Sequence, residues 1–131
     1  MQQTAMSNKK GLTLVEVMIA LVIVLLVFLA LMQTALVSIE SNTVNLLREE
    51  AVSIAEMRMN QARNIPFDSL VSASSVPVTR NIRNITGGFT FNTSMAVADL
   101  GGDSKQINIA ITWQWKGNPY SHSITTIRRR T

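Results

Sequence analysis

The longest apolar run of the chain lies near its N-terminus. All sixteen residues from Val17 to Met32 are apolar, and counted from Leu12 the stretch reaches 21 residues with Thr13 and Glu16 as its polar members. About 20 residues at roughly 1.5 Å rise each are needed to cross the hydrocarbon core of a bilayer. The pattern therefore predicts a membrane-spanning helix over residues 12–34.

Two other interpretations of this run are weaker. A secretory signal has an apolar core of about 7 to 15 residues followed by a small-x-small site, whereas this core is longer and residues 34–38 contain no Ala-x-Ala. A helix that is apolar all round inside a soluble protein needs a large protein around it. Only about 100 residues follow the run, too few for that role.

After the run, the apolar positions take up helical spacing. Val44, Leu47, Ala51 and Ile54 form one stripe at intervals of three and four residues. Residues 12–65 contain no proline or glycine, and Pro66 biases the residue before it away from helix. We expect a single helix of about 50 residues, roughly 75 Å long, whose segment 35–65 is amphipathic.

The remainder of the chain alternates as strands do. We expect residues 66–88 to be a connecting loop region with a flexible patch at 72–75, and residues 89–131 to form an antiparallel sheet. Hairpin turns are predicted at Gly101–Asp103 and Gly117–Pro119. We expect the sheet to have three strands, or four if residues 76–85 pair with a neighbouring strand.

The predicted fold class is α+β, with a small sheet packed on the second half of the long helix. The inward face of the sheet is expected to carry alternate large apolar residues, namely Ile107, Ile109, Ile111, Trp113 and Trp115. At 131 residues, the chain has room for one compact unit and an appendage. It has no cysteine, which excludes disulfides, thiolate metal sites, a Cys nucleophile and a lipidated Cys.

The residues before the apolar run are polar and end in Lys9, Lys10 and Gly11. The positive-inside tendency then keeps the N-terminus in the cytoplasm. Glu16 lies within the apolar stretch, where a carboxylate costs on the order of 2.5 to 3.5 kcal/mol and requires a cationic partner. No Lys or Arg lies between Gly11 and Arg48. Cleavage after Gly11 would supply a cation, the amine of Leu12.

The string Lys9 to Glu16, KKGLTLVE, with its following apolar helix, resembles the leader and processing site of type IV prepilins and of type II secretion pseudopilins. The resemblance implies a leader over residues 1–11. A prepilin peptidase would cleave after Gly11 and N-methylate Leu12, with S-adenosylmethionine as methyl donor. It implies that Glu16, at mature position five, and Thr13 act in subunit assembly, and that the protein is not an enzyme and has no cofactor of its own.

In that family, the carboxylate of one subunit is expected to approach the N-terminal amine of a neighbour, a pair strengthened by low dielectric. The implied partners are the prepilin peptidase, other pilin or pseudopilin subunits and an inner-membrane assembly platform. The implied location is the bacterial inner membrane, with the head periplasmic, and then the pilus or pseudopilus. The small head, and Gln33 where many major pilins have a proline, argue against a major structural pilin. The short head, the lack of cysteines and the segments 111–117 and 124–128 resemble minor pilins of the PilV sort and GspI-like pseudopilins, of which the PilV sort is preferred.

Two functions outside the pilin class remain as alternatives. A bitopic membrane anchor with an extracytoplasmic sensor head has the same hydropathy but gives no reason for Glu16 beside a cleavable Gly11. A periplasmic hydrolase needs a nucleophile, a base and an orienting group, and the chain offers one histidine and no cysteine. The N-terminal residue of the mature protein separates the three classes.

The head offers little further chemistry. His122 is expected to be an ordinary strand residue. Asp99 and Asp103 supply too few oxygens for calcium, which takes six to eight, so no metal site is predicted. Trp113, Trp115 and Tyr120 are expected in the core rather than on a binding face. The chain has 12 basic and 8 acidic residues, and without Lys9 and Lys10 the excess is +2. We therefore expect Arg128, Arg129 and Arg130 to be a solvated tail rather than a nucleic-acid site.

Overall fold

The computed structural model describes residues 13–131. A single helix, α1, runs Leu14–Asn64, and a short 3-10 turn follows at Phe67–Ser69. Four strands complete the chain: β1 Ala73–Arg80, β2 Phe89–Gly101, β3 Ser104–Trp115 and β4 Asn118–Arg129. The chain divides into two compact units after Glu40, so α1 contributes to both. The predicted α+β class is confirmed.

The helix ends where the sequence predicts. Its last residue is Asn64, and Pro66 stands two residues later with a φ of −54° and a ψ of 143°, outside the helical region. Arg63 lies in the last turn, where a cation complements the negative end of the helix dipole. The observed helix of 51 residues therefore agrees closely with the predicted helix over residues 12–65. Residue 12 lies outside the described residues.

The four strands form one antiparallel sheet in the order β1-β2-β3-β4. The four-strand alternative is thus confirmed, but its first strand begins at Ala73, inside the region expected to be a connecting loop. The patch at residues 72–75 is also largely strand, because Ala73 pairs with Met95. The register with β2 then shifts between Ala73 and Val76, which marks a β-bulge.

Both long hairpins close through two-residue turns. Gly101 pairs with Ser104, and the intervening Gly102 and Asp103 have φ values of 59° and 61°. Trp115 pairs with Asn118, around Lys116 and Gly117 at φ 50° and 81°. Positive φ at both turn positions is the type I′ conformation that fits the twist of a hairpin. The first turn lies where predicted, whereas the second begins one residue earlier and leaves Asn118 and Pro119 in β4.

The core of the second unit lies between α1 and one face of the sheet. The helical stripe is confirmed, with Leu47, Ala51 and Ile54 fully buried and Val44 half-buried. The predicted inward positions of β3 are buried from Ile107 to Trp113, while Trp115 is half-buried. The same cluster includes Phe91 of β2 and the helix residues Ala55, Met59 and Ala62. The opposite face of the sheet is mainly polar, with alanines and the exposed Ile127 among its residues.

Candidate functional site

The first turn of α1 is closed by Thr13, the residue before the helix. The backbone N–H of Glu16 donates to the Thr13 side-chain oxygen at 3.3 Å, and the N–H of Val17 donates to the Thr13 carbonyl at 3.2 Å. These are the bonds of a helix N-cap, which satisfies donors that otherwise have no partner in the first turn. Thr13 therefore has a local structural role, besides the assembly role implied by the resemblance.

A sequence signal for this cap was available. Thr13 and Glu16 have the S/T-x-x-E spacing of a capping box. Reading Glu16 only as a charge in an apolar segment overlooked this pattern. The cap fixes Glu16 at the third helical position, within the first turn of α1.

The Glu16 carboxylate is exposed and stands in the first helical turn. There it complements the positive end of the helix dipole, an effect of about 0.3 to 1 kcal/mol. The cost of a carboxylate in hydrocarbon is on the order of 2.5 to 3.5 kcal/mol, so the dipole offsets only part of it. Within residues 13–131, Glu16 has no ion-pair partner. An additional cation must therefore come from elsewhere if Glu16 enters an apolar environment.

The part of α1 that follows Glu16 presents apolar side chains on every face. From Val17 to Ile39 its large apolar residues are all exposed, for example Phe28 at 62% and Met32 at 65%. The hydroxyl of Thr34 donates to the Ala30 carbonyl at 3.1 Å, so one of the few polar groups in this segment is satisfied within the helix. Helix α1 contains a window long and apolar enough to cross a membrane.

The remaining predicted residues of this site are Lys9, Lys10, Gly11 and Leu12. They lie outside the described residues. The described part of the site is thus the capped first turn with Glu16, followed by the exposed apolar segment.

Residues 6–32 match the model of the prokaryotic N-terminal methylation motif. The match includes Lys9 to Glu16 and ends at Met32, the last residue of the apolar run. It indicates a prepilin of the type IV pilin-like class, whose members are structural rather than enzymatic, and together with the exposed apolar helix it indicates anchoring in a membrane. The motif does not extend into the head. No curated protein and no solved structure matches the chain.

The carboxylates considered for calcium have other partners. Asp99 accepts a hydrogen bond from the Gly101 N–H at 2.9 Å, and Asp103 lies 3.7 Å from a terminal guanidinium nitrogen of Arg130. In the described part of the chain, no three His, Asp or Glu side chains come together as metal ligands do. His122 is half-buried in β4, opposite Ile111.

The aromatic residues of the sheet form part of the core. Trp113 is 3% exposed, its ring is stacked on Tyr120 with centroids 5.8 Å apart, and it meets Phe91 edge-on at 5.7 Å. Trp115 contacts Phe89 with centroids 6.1 Å apart. The buried Trp113 excludes the alternative in which its indole lies on a binding face.

The arginine run at residues 128–130 is not a solvated tail. Arg128 donates to the carbonyls of Ala62 and Ile65 at the end of α1, and Arg130 forms an ion pair with Asp68. Side chains in β4 alternate between the two faces of the sheet, which directs Arg129 away from the helix. This arrangement could not be predicted from the sequence, because the carbonyls that Arg128 reaches lie more than 60 residues away along the chain.

Proposed function

We propose that the protein is a minor pilin of a type IV pilus. It enters the inner membrane as a prepilin with residues 1–11 in the cytoplasm and its head in the periplasm. Prepilin peptidase cleaves after Gly11 and N-methylates Leu12. The mature subunit then joins other pilin subunits through the inner-membrane assembly platform, with Glu16 and Thr13 in its assembly segment.

The proposal rests mainly on the position of Glu16. It stands in the first turn of an otherwise apolar and exposed segment, and neither the helix dipole nor any residue from 13 to 131 supplies a full partner charge. Cleavage after Gly11 creates an amine four residues before Glu16. In a packed array of helices, the amine of one subunit pairs with Glu16 of another and so sets their register.

The preference for a minor pilin rests on the helix and on the head. α1 continues without interruption through Gln33, the position at which many major pilins have a proline. The head consists of four strands joined by short connections. A pseudopilin of type II secretion has the same processing site, and its filament remains in the periplasm rather than extending from the cell.

The proposal is tested by determining the first residue and the mass of the mature protein. The wild-type chain should begin at Leu12 and carry the mass of one added methyl group, whereas Gly11→Val should remain a membrane-bound precursor. That precursor is heavier by eleven of 131 residues in a 14.4 kDa chain, about 1.2 kDa. Ser7→Val, in the same leader, is the matched control and should be processed normally.

Normal trimming of Gly11→Val would refute the cleavage assignment. An intact Met1 in the wild type would instead support a bitopic anchor. Recovery of the processed protein in sheared extracellular fibres distinguishes a pilus subunit from a pseudopilin, which should stay with the cell envelope.

A further inference from the structure

The two edges of the sheet differ in how they are protected against an added strand. Within residues 13–131, β1 pairs only with β2 and β4 only with β3, so each leaves a row of backbone N–H and C=O groups unpaired. Proteins commonly block such rows with proline, bulges or charges. β1 has Pro77 and a bulge between Ala73 and Val76. β4 pairs with β3 without a register shift, and its proline, Pro119, is only its second residue.

One hydrogen bond identifies the groups that face the free edge of β4. The Arg130 N–H donates to the Asp103 carbonyl at 2.8 Å, and hydrogen-bonded pairs in an antiparallel ladder recur at every second residue. The even-numbered residues of β4 therefore direct their backbone groups toward β3. The backbone groups that point to the free edge belong to Ser121, Ser123, Thr125, Ile127 and Arg129.

The side chains of β4 alternate in the complementary way. The even-numbered residues from Tyr120 to Arg128 are half-buried on the side of the helix, and Tyr120 and Ile124 pack against the core. The odd-numbered residues are exposed on the polar face. A strand added beside β4 would place every second side chain next to Tyr120, His122, Ile124 or Thr126. The matching partner thus has apolar residues at alternate positions.

The end of β4 is positively charged. It carries the three arginines at 128–130, and no Asp or Glu lies between Tyr120 and Thr131. Nearby, Arg130 contacts Asp68 and Asp103, and Asp99 lies opposite Lys105 in the sheet. Arg128 and Arg130 have partners in the head. Arg129 is exposed and has no hydrogen bond or ion pair to another residue in the described range, so its charge is available to an acidic residue beside it.

This charge also argues against a second copy of the chain as the partner. Two β4 strands paired antiparallel would place Arg129 of each copy beside the uncharged start of the other strand, where no Asp or Glu is available to pair with it. Pairing β4 with β1 of another copy would meet Pro77, which lacks an N–H, and the bulge. Both edges that a second copy could offer are therefore poor matches for β4.

We propose that β4 is a docking edge for an extended segment of another protein, which adds to the sheet as a fifth, antiparallel strand. The segment has apolar residues at alternate positions and an acidic residue beside Arg129. This interaction does not depend on cleavage at Gly11 or on filament assembly, and it requires only the folded head.

The probe is a capped, fluorescently labelled peptide, Glu-Val-Thr-Val-Thr-Val-Thr-Val-Thr, added to the full chain in detergent micelles. Ser123→Pro is the test variant, because the Ser123 N–H faces the free edge and is not used in the ladder with β3. Ser123→Ala is the matched control. By fluorescence anisotropy, the proline variant should bind about tenfold more weakly or worse, and the alanine variant within about twofold of wild type.

Amide hydrogen exchange on the unmodified chain gives an independent readout. Saturating peptide should slow exchange at Ser121, Ser123, Thr125 and Ile127, and leave the even-numbered amides of β4 unchanged, because β3 already protects them. Arg129→Glu should weaken binding of the acidic peptide and strengthen binding of the same peptide with Lys in place of Glu.

Three results would overturn the proposal. The first is equal peptide affinity of Ser123→Pro and Ser123→Ala when both have the circular dichroism and melting temperature of wild type. The second is the absence of peptide binding, beyond that of empty micelles, to the wild-type chain. The third is a peptide-free dimer that Ser123→Pro abolishes, which would make a second copy the partner in place of an acidic segment.

Discussion

The two units of the chain share one helix but dispose of their apolar side chains differently. Up to Ile39 the large apolar side chains of α1 are at least 42% exposed. Beyond Ser41 the same helix has a single buried stripe, in which Leu47, Ala51 and Ile54 are fully enclosed by the sheet and its connections. The first region has apolar residues on all faces, and the second has them mainly on one.

This difference shows where each region obtains its stability. Burying a large apolar side chain contributes roughly 1.5 to 3 kcal/mol, and the second unit realises this within one chain. The apolar side chains of the first unit are not buried by the chain itself. They can gain the same stabilisation only from surroundings such as lipid or other apolar helices. Changes in the first unit should therefore affect insertion and assembly, and changes in the second should affect folding of the head.

The largest effect is expected from Glu16→Ala. If Glu16 pairs with the Leu12 amine of another subunit, its removal leaves that amine unpaired in a low-dielectric environment, at a cost of about 3 to 5 kcal/mol. Membrane insertion and cleavage after Gly11 should remain normal. The measurement is the amount of this protein in sheared filaments relative to the membrane pool, which should fall on the order of 100-fold or more.

Glu49→Ala is the matched control for this experiment, since Glu49 is an exposed carboxylate of the same helix beyond the apolar segment. It should reach the filaments as the wild type does. Equal recovery of Glu16→Ala and wild type, at equal expression and processing, would show that Glu16 does not control assembly.

In the head, Trp113→Ala should have the next largest effect. The side chain is almost fully buried between Phe91 and Tyr120, and truncating such a residue typically costs about 3 to 5 kcal/mol. For a unit of this size, the melting temperature should fall by at least roughly 12 °C. Circular dichroism of the full chain in micelles measures this change, while processing at Gly11 should be unaffected.

Trp113→Phe separates packing from polarity at the same position. It keeps an aromatic ring and removes an indole N–H that is buried without a hydrogen-bond partner in the described chain. The loss should therefore be much smaller than for alanine, about 1.5 kcal/mol or less. If alanine and phenylalanine lowered the melting temperature equally, the contribution would not come from aromatic packing.

The regular parts of this fold were predictable because their patterns are local. The uninterrupted helix, its stop before Pro66 and the inward parity of Ile107 to Trp113 each follow from residues close together in sequence. β1 was harder to assign, because serines and Pro77 have low strand propensity. It is held by pairing with β2, and its Val76 carbonyl accepts a hydrogen bond from the Thr93 hydroxyl at 3.0 Å.

The candidate site shows the same division between local and distant signals. The Gly11 and Glu16 spacing is a sequence motif, so the site could be predicted without a structure. The Thr13 cap was also readable from its spacing to Glu16. In contrast, the contacts of Arg128 and Arg130 arise only when β4 meets the end of α1, and charge counting alone led to the wrong expectation of a solvated tail.

Arg128→Gln should have a moderate effect on the head. The guanidinium of Arg128 donates to the Ala62 carbonyl at 3.4 Å and to that of Ile65, and hydrogen bonds from charged groups contribute about 1.5 to 3 kcal/mol. Arg129→Gln is the neighbouring control, and on the exposed face it should change stability by no more than about 0.5 kcal/mol. Chemical denaturation of the two variants measures the difference, and equal midpoints would show that Arg128 does not stabilise the helix end.

The smallest effect is expected at Thr13, where it should be confined to the first turn of the first unit. Replacing a capping threonine by alanine costs about 1 kcal/mol of local helix stability, which corresponds to a roughly fivefold change in the equilibrium for opening that turn. In Thr13→Ala, the amide of Glu16 should exchange with solvent about fivefold faster, because its hydrogen-bond acceptor is lost. Thr13→Ser retains a hydroxyl at the same distance along the side chain and should stay close to wild type. The melting temperature of the head should not change in either variant, since its core contains neither residue. If serine behaved like alanine, the side-chain oxygen would not be the group that holds the first turn.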